Sequence, residues 1–85
     1  MQEKLTNRIK KGVQLLEEQQ GYNKADILRR LETIEQGISP ASMSNIMNDK
    51  EVGLKILNRA RTGVETIILR EIGIYRRRKI TYLET

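Results

Sequence analysis

Leu5, Ile9, Val13 and Leu16 follow one another at intervals of four, four and three residues, so on a helix they share one face. Similar spacing returns in Ile27, Leu28, Leu31 and Ile34, then in Met43, Ile46 and Met47. It returns again in Leu57, Ala60, Val64, Ile67, Ile68 and Ile72. Only the short run Ile80-Thr81-Tyr82-Leu83 is β-prone, and a lone strand is not stable in water. Stripes of this period predict a small all-α domain of four or five helices with no real sheet.

The punctuation between the stripes predicts where the helices begin and end. The first spans residues 3–19 and stops at Gln19-Gln20-Gly21, with Gly21 as a left-handed cap. The second starts at Asn23, whose side chain accepts from the Asp26 N–H, with Asp26 returning the bond in a capping-box arrangement. Gly37 is expected to break it. The third opens with Ser39 at the N-cap and Pro40 at the first helical position, where a missing N–H costs nothing. It ends near Asn48-Asp49. Residues 51–72 are helical again. Gly63, which costs up to ~1 kcal/mol relative to Ala, either bends that helix or divides it. Gly73 reads as the residue after its end, with Ile74 packing behind. Residues 1–74 then form the domain, and residues 75–85 a basic tail or the start of a following region.

With 85 residues there is material for one small domain. Phe and Trp are absent, and Tyr22, Tyr75 and Tyr82 are the only aromatic residues, so the core is aliphatic. A core of this size supports about 5 kcal/mol of stability, to which a dimer partner or a further domain would add. There is no Cys to form a disulfide and no His to act as base or ligand, which points away from metal sites and cofactors. No run approaches the roughly 18 apolar residues of a membrane span, and no secretory apolar region follows Met1. These features lead us to expect a cytoplasmic protein.

No catalytic constellation emerges. Asp26 and Glu35 are not placed by their spacing in a shared apolar pocket, the serines lack a histidine to activate them, and the glycines are isolated rather than grouped in a phosphate-cradling loop. The chain does not read as an enzyme.

The formal charge is +5, unevenly spread. Residues 1–50 carry eight basic and seven acidic side chains, whereas residues 51–85 carry eight basic and four acidic ones. Lys55, Arg59, Arg61 and Arg70 precede the densest cluster, Arg76-Arg77-Arg78-Lys79. Such an excess favours a polyanionic partner, and its plain alternative is solvation of a helical surface.

The segment Gly37-Ile38-Ser39-Pro40-Ala41-Ser42-Met43-Ser44-Asn45-Ile46-Met47-Asn48 resembles the turn and recognition helix of the phage-repressor-like helix-turn-helix family. Gly37, Ile38, Ser39, Met43 and Ile46 occupy the slots of that pattern: a glycine for the turn, an aliphatic to plug the angle between helices, a cap, and two aliphatics to seat the recognition helix. The resemblance is close over about a third of the chain. Two features depart from it. Glu32 and Thr33 stand where the family has a Leu-Ala pair, as though about five residues, Glu32 to Gln36, had been added. Pro40 and Ala41, at base-reading positions, carry no side-chain donor or acceptor.

The resemblance implies binding to double-stranded DNA, commonly as a dimer, by a transcriptional regulator or the DNA-binding part of a larger mobile-element or phage protein. The outer face of the third helix, Ser39, Ala41, Ser42, Ser44 and Asn45, would enter the major groove. Ala41 would touch a thymine methyl, and Ser42, Ser44 and Asn45 would supply polar contacts. Lys24, Asn48 and Lys50 would reach phosphates, and Arg76, Arg77, Arg78 and Lys79 would add non-specific attraction. The alternative class is a helical protein-interaction or oligomerisation module without DNA binding. The runs Thr66-Ile67-Ile68-Leu69 and Ile80-Thr81-Tyr82-Leu83 offer apolar surface for it.

Overall fold

The computed structural model describes residues 2–73, and the described part is entirely helical. Helix α1 spans Gln2–Gln20, α2 Lys24–Thr33, α3 Pro40–Met47 and α4 Leu54–Ile68, after which a π-helical stretch runs over Leu69–Gly73. Gly63 does not divide α4, which runs unbroken through it. The chain also stays helical through Gly73, where the sequence suggested a residue beyond the helix end. Ile74, the β-prone run and the Arg76–Lys79 cluster lie outside the described residues.

The four stripes converge on one core. Ile9, Val13 and Leu16 from α1, Ile27 and Leu31 from α2, and Met43 and Ile46 from α3 are buried there. They meet Val52 and the α4 face of Leu57, Ala60, Val64, Ile67 and Ile68. Leu5, Leu28, Ile34, Met47 and Ile72, also on the predicted stripes, are partly buried against this core. Helices α1 and α4 make the most extensive helix contact; α2 packs on both, and α3 packs on α1 and α2. Among the described residues no polar or charged residue is fully buried, so the core is held by apolar burial and dispersion.

The caps follow the local chemistry closely. Gly21 takes φ 71° and its N–H donates to the Glu17 carbonyl at 3.1 Å. At α2 the Asp26 N–H donates to Asn23 Oδ1 at 2.8 Å and the Asn23 N–H to Asp26 Oδ2 at 3.1 Å, a complete capping box.

The end of α2 differs from expectation. The helix stops at Thr33, four residues before Gly37, and residues 34–39 form a longer connection than a tight turn. Glu35, at φ 61°, is the left-handed residue. Its N–H donates to the Glu32 carbonyl at 3.0 Å, and the Gln36 N–H to the Leu31 carbonyl at 2.8 Å. This is a Schellman closure with a glutamate where glycine is usual. Gly37 is outside the positive-φ region, and its carbonyl instead accepts from Arg59 Nη1 at 3.2 Å, which fastens the connection to α4.

Ion contacts tie the helices at their margins. Arg8 Nε lies 2.7 Å from Glu65 Oε2 between α1 and α4; both atoms are shut off from solvent and neither has a hydrogen bond of good geometry. Glu65 also contacts Arg61 at 3.3 Å. Beyond the C-terminal end of α4, Glu71 accepts from the Tyr22 hydroxyl and from Arg30 Nε, while the Arg30 guanidinium stacks 4.0 Å over the Tyr22 ring. This cluster pins the π-helical stretch to the last turn of α2 and to Tyr22, just before that helix.

Candidate nucleic-acid interface

Helix α3 is two turns long, too short to persist alone, and its position rests on a cap and an anchored face. Ser39 Oγ accepts from the Ser42 N–H at 3.0 Å, and Pro40 occupies the first turn. Met43 and Ile46 are buried on the inner face, with Met47 half-buried beside them. The far end closes as α2 does. Asp49 takes φ 59°, its N–H donates to the Ile46 carbonyl, and the Lys50 N–H donates to the Asn45 carbonyl at 2.7 Å. Asp49 in turn binds Lys10 Nζ at 2.9 Å, fixing the end of α3 to α1.

The outer face is narrower than the sequence reading made it. Pro40, Ala41, Ser44 and Asn48 are exposed and share one side of the helix. Asn45 is half-buried at the margin of this arc, with its side-chain amide unpartnered among the described residues. Ser42 lies towards the inner face. It is half-buried on the flank, and its Oγ accepts from Ser39 Oγ at 3.1 Å. Ser39 is exposed at the tip, but its hydroxyl is committed to the cap.

A shallow groove of about 440 Å³ separates this arc from α2, lined by Lys24, Leu28, Pro40, Met43, Ser44, Met47 and Asn48. It joins three of the predicted site residues, Lys24, Ser44 and Asn48, and no acidic side chain lines it. Lys24 is half-exposed and pairs with Glu17 at 2.9 Å. Asn48 Nδ2 donates to the Ser44 carbonyl at 2.9 Å, which orients its amide along the helix end. Lys50 is exposed on a different wall, in a second depression with Thr6, Asn7, Asp49, Glu51, Val52 and Leu57. The predicted residues therefore fall into a groove set, a marginal Asn45 and a separate Lys50. Arg76, Arg77, Arg78 and Lys79 lie outside the described residues.

Sequence reading missed Glu17 as the partner that holds Lys24, and Leu28, Met43 and Met47 as the groove floor. The seven-residue separation of Glu17 and Lys24 spans a helix end, so no single periodicity links them. Among the described residues, no group of three His, Cys, Asp or Glu side chains is arranged to hold a metal. No helix among them is long and apolar enough to cross a membrane. No family model, curated protein or solved structure matches the chain.

Proposed function

We propose that this chain is a DNA-binding helix-turn-helix module, serving a transcriptional regulator or the DNA-binding part of a larger mobile-element or phage protein. The supporting observation is the outer arc of α3: an uncharged face of Ala41, Ser44 and Asn48, bordered by the unpartnered Asn45 amide and by Lys24, with no acid in the adjoining groove. Such a face offers hydrogen-bonding groups to base edges while flanking cations meet phosphates. The net charge of +5 adds long-range attraction to a duplex. In this reading Lys24, Asn48 and Lys50 contact phosphates, Arg76, Arg77, Arg78 and Lys79 contribute sequence-independent attraction, and a second copy or a fused domain supplies the rest of the footprint. The extended connection between α2 and α3 sets the presentation of α3 apart from that of a short-turn motif.

Fluorescence anisotropy with labelled mixed-sequence duplex DNA at two salt concentrations tests the reading. Affinity should fall steeply with salt, the log–log slope counting the phosphates neutralised at about 0.9 per contact. Absence of binding at low salt would overturn it. Leu54 and Leu69, exposed at 54% and 48%, favour the second reading, a helical interaction or oligomerisation module. Concentration-dependent assembly without any duplex binding would establish that reading in its place.

A further inference from the structure

The exposed arc of α3 carries a restricted chemical vocabulary. From Pro40 to Met47 the helix contains no charged residue, so it lacks the arginine or lysine that most often reads guanine. It offers methyl and methylene groups from Ala41 and Pro40, hydroxyls from Ser44, and primary amides from Asn45 and, at the cap, Asn48. An amide is the side chain that pairs in two-point fashion with adenine, accepting from N6 and donating to N7. A small exposed methyl is the complement of the thymine C5-methyl. Ala41 and Asn45 are four residues apart and therefore neighbours one turn along the helix. A thymine-matching group thus lies beside an adenine-matching one on the same margin.

The state of the amides sharpens the assignment. Asn48 Nδ2 is occupied by the Ser44 carbonyl at 2.9 Å and approaches Ser44 Oγ at 3.3 Å. Asn45 has neither amide atom engaged among the described residues, although it is half-buried. The Asn45 amide atoms are not among the solvent-shielded ones, so they stay open to a ligand that supplies both a donor and an acceptor. Adenine presents that pair on its major-groove edge. Guanine presents two acceptors there, which would leave Asn45 Oδ1 unpaired.

Building on the DNA-binding reading, we propose that α3 selects A·T base pairs in the major groove, with Asn45 reading adenine and Ala41 packing on an adjacent thymine methyl. The selectivity follows from the donor set of the helix rather than from its flanking cations. Those cations act on phosphates and are blind to sequence.

The test compares duplexes of equal length and charge, one with an A·T-rich centre and one with a G·C-rich centre, in a competition titration at fixed salt. The A·T duplex should bind about tenfold more tightly or better. Replacing its adenines by 7-deazaadenine, or its thymines by uracil, alters only the major-groove edge and should each remove a large part of the preference. Asn45→Ala should abolish the adenine-dependent part of the preference, bringing affinity for the A·T duplex down towards that for the G·C duplex. The base replacements leave the protein untouched, so they keep the test valid if that variant folds poorly. Equal affinity for the two duplexes, a G·C preference, or an A·T preference indifferent to both base replacements would overturn the inference and leave duplex binding standing. Failure to bind either duplex at low salt would overturn the DNA-binding reading itself.

Discussion

Gly63 sits so close against Leu31 that a methyl group placed on it would come within 2.3 Å of Leu31 Cδ2. The same methyl would lie 3.0 Å from Gln36 Cβ, so both α2 and the connection after it rest on this bare stretch of α4. Glycine in mid-helix costs up to ~1 kcal/mol of propensity, and here the cost secures a close crossing. Leu31 is fully buried and cannot swing aside freely.

Gly63→Ala should therefore destabilise the domain by roughly 1–3 kcal/mol, the range of an overpacked core, despite alanine's better helix propensity. Urea denaturation measures it. Leu31→Ala alone should cost about 2–5 kcal/mol. In the double variant the shortened side chain makes room for the new methyl, so its loss should be smaller than the sum of the two singles. A stabilised Gly63→Ala protein would contradict the packing described.

The left-handed residue after α2 is Glu35, and this predicts an inversion of the usual glycine rule. Glu35→Gly should stabilise by about 0.5–1 kcal/mol, because glycine adopts φ 61° without strain. Gly37→Ala should fall within about 0.5 kcal/mol of neutral. Its backbone is not left-handed, and the added methyl meets the exposed Glu32 side chain at 3.1 Å. Thermal melts of the two variants should move in opposite directions or show a shift for Glu35→Gly only.

Ser39→Ala removes the acceptor for the Ser42 N–H and should cost about 0.5–2 kcal/mol. Helix α3 is short enough for its fraying to be visible, so amide hydrogen exchange at Ser42 and Met43 should accelerate more than exchange in α1 or α4.

Glu65 holds Arg8 at 2.7 Å with both contacting atoms shielded from solvent. Glu65→Ala leaves a part-buried guanidinium without its carboxylate and should cost roughly 1–3 kcal/mol in the same denaturation assay. Disrupting the exposed pair Lys10–Asp49 by Lys10→Ala should cost less, within about 1 kcal/mol.

Glu17 holds Lys24 at 2.9 Å and so competes with any phosphate for that ammonium. Under the DNA-binding reading, Glu17→Gln should strengthen duplex binding at low salt, and Lys24→Ala should weaken it and reduce the salt slope by about 0.9. Salt-dependent anisotropy distinguishes these outcomes from an interaction module, in which neither variant changes duplex affinity.

Much of this fold is written in short-range terms. The stripe Ile9, Val13, Leu16 and the α4 face from Leu57 to Ile68 are spaced for one side of a helix. The caps at Asn23 and Ser39 are bonds over three residues, so each is readable from its own neighbourhood. The exposure of Ala41, Ser44 and Asn48 follows from the same period. Tertiary structure decided the rest. It chose Glu35 over Gly37 as the left-handed residue, because Arg59 and Gly63, more than twenty positions away along the chain, fix where the connection after α2 must lie. It turned Ser42 to the flank and left the Asn45 amide open, because the seating of Met43 and Ile46 in the shared core sets the rotation of α3. A helical period states which residues share a face. Only the packing of four helices around one core states which face meets the interior and which contacts cross between them, because those energies belong to pairs that are distant in sequence.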